Sequence, residues 1–306
     1  VSRGLGDVYK RQGGTRQKGT ANYKKHEQIG RLYILPVLTK NKKVMSITEA
    51  QWQKCVDIKY KDGLSKKTLQ NLRESITAFC KYMRRNGVKI DMPIIDIPDD
   101  APVGRRKILQ PDALKTLFTD DSITHYGKPK KCHYIYAWRF QVLTGMRPGE
   151  VCGLDKRDRD GNIININRSI NADGEITSGK NANANRSFYL NPTQQQILDN
   201  QADMLRSLGI VTKWIFPAPD GGPASERNMY KAWLTYCKQH GFKCSLYELR
   251  HTFVSYAEGK VPVKLLKSVV GHSESMDTFG TYGHQIDGEM QIAAGYLDSV
   301  FQDILK

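Results

Sequence analysis

From Ser65 onward apolar residues return at steps of three and four, through Leu69, Leu72, Ile76, Phe79, Cys80 and Met83, which is one stripe of an amphipathic helix. A helix is also predicted from near Ile47 to about Tyr60, opened by Ser46 and Glu49 as a capping box and broken by Asp62-Gly63. A second box, Ser245 with Glu248, precedes the stripe Leu246, Leu249, Phe253 and Tyr256. Pro262 then opens a helix through Leu265, Leu266 and Val269 that Gly271 stops. The last apolar series, Met290, Ile292, Ala293, Leu297, Val300, Phe301, Ile304 and Leu305, is again helical in spacing. Strand signals are confined to the middle of the chain: Asp160-Gly161 and Asp173-Gly174 are hairpin turns around Ile163 to Ile170, and another extended run covers Arg186 to Leu190. Between Tyr23 and Val44 the pattern predicts short strands or coil. The apolar run Leu32 to Leu38 is interrupted by Pro36 and is far shorter than the roughly 18 residues a membrane span needs. The whole reads as mainly α with a small antiparallel β-sheet.

Charge changes this picture. Lys and Arg number 47 against 31 Asp and Glu, a net charge of +16, and residues 1–110 hold 24 of the basic and only 10 of the acidic residues. Such a field suits a polyanion, because it displaces counterions from a phosphate backbone; solubility alone is the plainer explanation. Lys66, Lys67, Arg73, Lys81, Arg84 and Arg85 mostly lie off the apolar stripe, so the solvated side of that helix is basic and is expected to contact DNA. Residues 1–22 form a basic leader without expected fixed structure, and 23–100 a helical domain. The proline-rich stretch 91–107 is expected to hold a linker, placed at 101–108, whose Arg105, Arg106 and Lys107 can follow a phosphate backbone; 109–306 form the second domain. A start at Val1 rather than Met suggests a fragment, a processed product or a foreign leader, with an upstream domain missing. Six cysteines without a CxxC pair, and no secretory signal, point to a reduced cytoplasmic protein.

Several polar residues stand where chemistry is placed. Arg147 precedes Pro148 at the start of a helical turn, and Glu150 can orient it, although an RxxE pair taken alone is a weak signal and reads first as a structural ion pair. Tyr247, Arg250 and His251 fall at i, i+3 and i+4 on a face beside the buried stripe, where they can project together toward phosphate oxygens. His272 follows the helix stop at Gly271, and Tyr282 lies ten residues on. Cys237, His240 and Cys244 have loose metal-like spacing but no fourth ligand, and read as buried thiols on a helix. Gly221-Gly222-Pro223 is a turn and not a phosphate loop.

Taken in order, these segments resemble the tyrosine recombinase family of the phage-integrase type. The family's TGxRxxE box matches Thr144 to Glu150, its HxLRHT box Tyr247 to Thr252, its GH pair Gly271-His272 and its nucleophile Tyr282. Lys180 resembles the family's hairpin lysine. The context Thr281-Tyr282-Gly283-His284 is most similar to integrases of conjugative transposons, and the resemblance covers about residues 46–306.

What the resemblance implies is a helical, SAM-like core-binding domain joined to a catalytic domain as a C-shaped clamp on DNA. The chain is then expected to act as a site-specific recombinase for integration or excision of a mobile element, through a 3′-phosphotyrosine and a Holliday junction. Arg147 and Arg250 are expected to clamp the phosphate, Glu150 to hold Arg147, His272 to bond a nonbridging oxygen and Lys180 to protonate the leaving oxygen. Tyr247 stands where the family usually has His, which leaves the acceptor of the nucleophile's proton open. Arg186 is counted with the DNA contacts. Neither metal nor cofactor is expected. The implied partners are double-stranded DNA at element ends and target, three further copies of the chain, and an accessory DNA-bending protein, with no membrane; the implied place is the bacterial cytoplasm, at the nucleoid. For the C-terminal helix, docking on its own core competes with the family's packing on a neighbouring protomer. Competing activities are a type IB topoisomerase-like relaxing enzyme and a DNA-binding protein of the same fold without catalysis.

Overall fold

The computed structural model describes residues 21–38, 42–104, 106–125, 127–177, 185–271 and 289–305. Tertiary contacts divide the chain between residues 105 and 106 into two units, each with its own apolar core. Of the expected leader only Ala21 and Asn22 are among the described residues, and they are helical.

The stretch expected as strands or coil is instead helix: α1 (Ala21–Ile29), a π turn (Gly30–Ile34) and α2 (Leu35–Leu38) run on without a break. The N–H of Leu35 bonds the Gly30 carbonyl, five residues back, immediately before Pro36, whose nitrogen has no hydrogen to give. The wider turn brings Ile29, Ile34 and Leu38, spaced by five and four, into one core, a pattern that 3.6-residue periodicity does not reveal.

Helix α3 (Glu49–Lys61) buries Trp52, Cys55 and Val56. Its capping box is Thr48 with Gln51, two residues later than the expected Ser46 with Glu49. The Thr48 N–H bonds Gln51 Oε1 at 3.2 Å, Glu49 is drawn to the Ile94 N–H at 2.8 Å, and Ser46 ends a 3₁₀ turn (Val44–Ser46). Helix α4 (Lys66–Arg85) is capped by Ser65, whose Oγ accepts from the Thr68 N–H at 3.3 Å, and buries the predicted Leu69, Leu72, Ile76, Phe79 and Cys80. Lys25 and His26 bond Asn71 and Ser75 at 2.9 and 2.8 Å, fastening α1 to α4. The proline-rich stretch after α4 is irregular but not loose. Ile95 and Ala101 are buried, the Asp96 N–H bonds Gln53 at 2.9 Å, and the Lys66 N–H bonds the Pro102 carbonyl at 2.7 Å.

The second unit begins with α5 (Pro111–Thr119) and a hairpin that the polar pattern did not announce, β1 (Ser122–His125) against β2 (Lys128–Lys131), with Ser122 opposite Lys131. The second strand reads Lys-Pro-Lys-Lys and is exposed along its length, tolerable because it is an outer strand. Helix α6 (Ile135–Thr144) is buried on every side and forms the centre of the unit. It ends at Gly145, φ +64°, where a Cβ would lie 2.4 Å from the Phe253 ring.

After the short helix α7 (Pro148–Cys152), β3 (Arg159–Asp160) turns at Asp160-Gly161 into β4 (Ile163–Ile166). Strand β4 also pairs antiparallel with β7 (Arg186–Tyr189), Ile166 opposite Arg186, giving the order β3-β4-β7. Between them β5 (Ser169–Ile170) and β6 (Ile176–Thr177) close the hairpin around Asp173-Gly174. Helices α8 (Pro192–Ser207), α9 (Glu226–His240), α10 (Glu248–Ala257), α11 (Val263–Val270) and α12 (Glu289–Leu305) complete the unit.

In the single chain, α12 sits on its own unit rather than being held ready for a neighbour. Ala293, Leu297, Val300 and Phe301 are buried, Phe301 stacks on Phe253 at 6.0 Å, and Thr193 donates to Asp298 at 2.8 Å. Among the described residues no helix is long and apolar enough to cross a membrane.

Candidate active site

Because α6 ends in a left-handed glycine and Pro148 fixes the next turn, Arg147 is held in extended backbone at the start of α7. The Glu150 carboxylate folds back on it. Oε2 accepts the Arg147 backbone N–H at 2.9 Å, and Oε1 accepts from the Arg147 guanidinium at 2.7 Å. One third of the Arg147 side chain, 34%, remains exposed, so the group is aimed but reachable.

On α10 the predicted box forms in part: Glu248 accepts the Ser245 N–H at 2.6 Å and, with its other oxygen, the Lys107 N–H at 2.6 Å. Leu109 is tied to the same helix, its N–H bonding Thr252 at 3.0 Å and its carbonyl accepting from the Tyr256 hydroxyl at 3.2 Å. The segment expected as linker is thus fixed along α10 from residue 107. The expected common projection of Tyr247, Arg250 and His251 is corrected. Tyr247 is exposed, with its ring edge-on to His251 at 5.4 Å, but Arg250 is only 2% exposed. Its guanidinium turns inward to the carbonyls of Gly145 at 2.8 Å and Val270 at 2.7 Å.

Those bonds converge on the end of α11. Arg186 donates to Val269 at 2.7 Å, Arg250 to Val270 at 2.7 Å and Arg147 to Gly271 at 3.4 Å, so three consecutive carbonyls each receive a guanidinium. Arg186 also binds both oxygens of Glu150, at 3.1 and 2.8 Å, and its side chain is 7% exposed. The expectation that Arg186 contacts DNA is therefore corrected: it faces inward. In the sequence it is only the first residue of an extended run; its place opposite Ile166 in the strand ladder and its partner 36 residues away appear in the fold. His272, Tyr282 and Lys180 lie outside the described residues.

Burial works to raise the Glu150 carboxyl, but the hydrogen bonds and charges of Arg186 and then Arg147 outweigh it and hold it below the usual carboxylate range. Burial, reinforced by the nearby Arg147 charge, lowers Arg250 to about 10, which leaves it charged near neutrality. Arg147 is also partly desolvated, yet Glu150 and then Tyr247 raise it above its ordinary value. One carboxylate thus faces three guanidiniums, an excess of positive charge suited to an anion. His251 is shifted down by burial and then by Arg106.

The other expected contacts are dispersed. On α4, Lys67, Arg73, Arg84 and Arg85 are exposed, while Lys66 is half-buried and pairs with Asp99 at 3.3 Å. At 100° per residue the basic positions fill an arc of about 120° opposite the buried stripe, with Glu74 as a carboxylate among them. Arg106 and Lys107 are exposed, and Arg105 lies outside the described residues. Cys237 and Cys244 are buried, and desolvation pushes both thiols up to about 12. His240 instead packs on the Tyr236 ring at 4.3 Å, and no group of three metal-ligating side chains occurs among the described residues.

The sequence pattern of the phage integrase family matches residues 107–289, a span containing Arg147, Glu150, Arg186 and Arg250. The chain belongs to the phage integrase family. This phage integrase family member, a tyrosine recombinase, shares its fold with the Tn1549 transposon integrase, solved in complex with transposon right-end DNA: 18% identity, 97% of this chain and 98% of that chain covered, TM-score 0.71. A lambda integrase dimer bound to a COC′ core site is similar at 16% identity, with 94% and 99% covered and a TM-score of 0.66. The lambda integrase tetramer bound to a Holliday junction matches at 16% identity, 94% and 79% coverage and a TM-score of 0.67. No curated protein sequence matches.

Proposed function

We propose that this integrase-family chain is a site-specific recombinase that cuts and rejoins double-stranded DNA for the movement of a mobile element. The observation that carries the reading is the pair Arg147 and Arg250, bonded to consecutive carbonyls at the end of α11, directly before His272. Attack of the Tyr282 oxygen on a phosphodiester phosphorus, with the phenol proton released to solvent, forms the P–O(Tyr) bond and breaks the bond to the 5′-oxygen. Extra negative charge builds on the nonbridging oxygens in passing, and two guanidiniums fixed beforehand stabilise it without reorganising. His272 donates to one of those oxygens. Lys180 gives its proton to the departing 5′-oxygen. The 3′-phosphotyrosine keeps the phosphodiester's free energy, so a 5′-hydroxyl from another strand can attack it, restore the tyrosine and complete strand exchange.

The solved relatives support DNA as substrate, since they are bound to transposon-end DNA, a core site and a Holliday junction. Assembly as a tetramer, transfer of α12 from its own seat to the equivalent seat of a neighbour, and an accessory DNA-bending protein complete the proposal; a swapped element reuses the contacts it makes in the single chain. Its place of action is the bacterial cytoplasm, at the nucleoid.

The test is a nicked suicide duplex taken from the DNA flanking the gene, incubated with protein in EDTA and resolved on a denaturing gel. A slow-migrating adduct should form with the wild type and be absent with Tyr282→Phe. An adduct that persists in the variant contradicts the assignment of the nucleophile. Lys180→Ala should cleave that duplex very slowly but a 5′-bridging phosphorothiolate at near the wild-type rate, because sulfur leaves without a proton.

A further inference from the structure

The three guanidiniums at the end of α11 are not equivalent. Arg147 is a third exposed and Arg250 lies against backbone carbonyls, whereas Arg186 bridges two elements that the chemistry needs in register. From β7 its Nη atoms hold both oxygens of Glu150 while its Nε holds the Val269 carbonyl. Glu150 in turn fixes both the backbone and the guanidinium of Arg147. Val269 stands three residues before His272.

A planar fork with donors on three spaced nitrogens can hold both oxygens of a carboxylate and a separate carbonyl at once, a geometry the single nitrogen of a lysine does not reproduce. The last carbonyls of a helix carry partial negative charge and lack intrahelical partners, so a cation there satisfies them. With the Arg186 side chain 7% exposed and Glu150 4%, the pair is out of reach of a phosphate backbone. Without Arg186 the Glu150 carboxylate would keep Arg147 as the guanidinium hydrogen-bonded to it and would pull more strongly on the group meant for the phosphate.

We infer that Arg186 is a positioning residue for DNA cleavage: it shares Glu150 with Arg147 and ties the end of α11, so one buried side chain sets both the phosphate-facing arginine and the end of the helix that precedes His272 in the sequence. The inference rests on the proposed strand-cleavage reaction. It assigns Arg186 an effect on the rate of the bound complex and none on the grip on DNA.

The experiment compares wild type, Arg186→Lys, Glu150→Gln and the double variant on the same nicked suicide duplex. Thermal denaturation, binding affinity at several salt concentrations and the single-turnover rate of adduct formation are read for each. Arg186→Lys should bind within about twofold of wild type with an unchanged salt slope, and form adduct about 10- to 100-fold more slowly. The double variant should be no slower than the slower single variant, because both break the same bridge. If Arg186→Lys does not fold, Arg186→Gln with Glu150→Gln, which removes both buried charges together, takes its place, and its rate should equal that of Glu150→Gln alone. A wild-type rate in a folded Arg186→Lys, a salt slope reduced by about one phosphate contact, or multiplicative losses in the double variant would overturn the inference. Absence of adduct with the wild type would instead contradict the underlying reaction, so the two failures are distinct.

Discussion

Positive charge is gathered in two places that differ in almost every physical respect. On α4 of the first unit Lys67, Arg73, Arg84 and Arg85 lie in water. Around the end of α11 in the second unit, Arg250 and the side chain of Arg186 are buried, Arg147 is half-buried, and every one has a carbonyl or carboxylate within hydrogen-bonding distance. Mobile exposed cations bind a polyanion by releasing its counterions and tolerate many registers. Buried guanidiniums fixed by backbone oxygens cannot rearrange, which is what stabilising a short-lived charge requires. Net charge describes the first cluster and misses the second: residues 111–306 are almost balanced, with 23 basic and 21 acidic residues, yet hold the cluster assigned to chemistry.

The largest effect should come from breaking the fixed cluster at its reachable member. Arg147→Lys keeps the charge but loses the fork, and should slow adduct formation on the order of 10³-fold, about 4 kcal/mol, with binding within a few fold. Equal losses of binding and cleavage would mark Arg147 as a purely structural residue. Neutralising Lys66, Lys67, Arg84 and Arg85 together should do the reverse. Each lost phosphate contact lowers the salt slope by about 0.9; because Lys66 is already paired with Asp99, the total should be nearer three contacts than four. The rate at saturating protein should stay at the wild-type value.

Arg250→Lys sharpens the contrast from the side of stability. It leaves one of two buried carbonyls without its donor, an expected cost of about 1–3 kcal/mol in denaturant unfolding, whereas neutralising Arg84 on the exposed helix should cost less than about 0.5 kcal/mol. The smallest effect is in acid. Glu150 is held below its ordinary value of 4.5 in the folded state, so its stabilisation is fully present above that value and is lost as pH falls through the lower one. Unfolding midpoints between pH 5 and 3 should therefore decline less steeply for Glu150→Gln than for wild type. An identical slope in both would show that Glu150 is not held low.

The contrast also explains what could be read from residues alone. The stripe of α4, the Gly271 stop and the turns at Asp160-Gly161 and Asp173-Gly174 are local matters of period and backbone freedom, and they stand where the pattern puts them. Arg147 with Glu150 was equally local, three residues apart. The helix over 21–38 was hidden because a π turn shifts its buried face by one residue. The β1–β2 hairpin was hidden because an exposed outer strand needs no alternation. The inward turn of Arg250 and the role of Arg186 depend on carbonyls brought together only by the packing of α6, α11 and β7, which no spacing along the chain encodes.

The separation of grip from chemistry is tested most directly on the unaltered protein, by measuring DNA affinity and the single-turnover rate of adduct formation on one suicide duplex across a range of salt. Exposed charges are screened within about 10 Å at 0.1 M salt, while buried ones are screened far less. Affinity should therefore fall steeply with the logarithm of salt concentration, while the rate of the saturated complex stays within about twofold. A rate that falls in parallel with affinity would contradict the account, because one set of charges would then be serving both tasks.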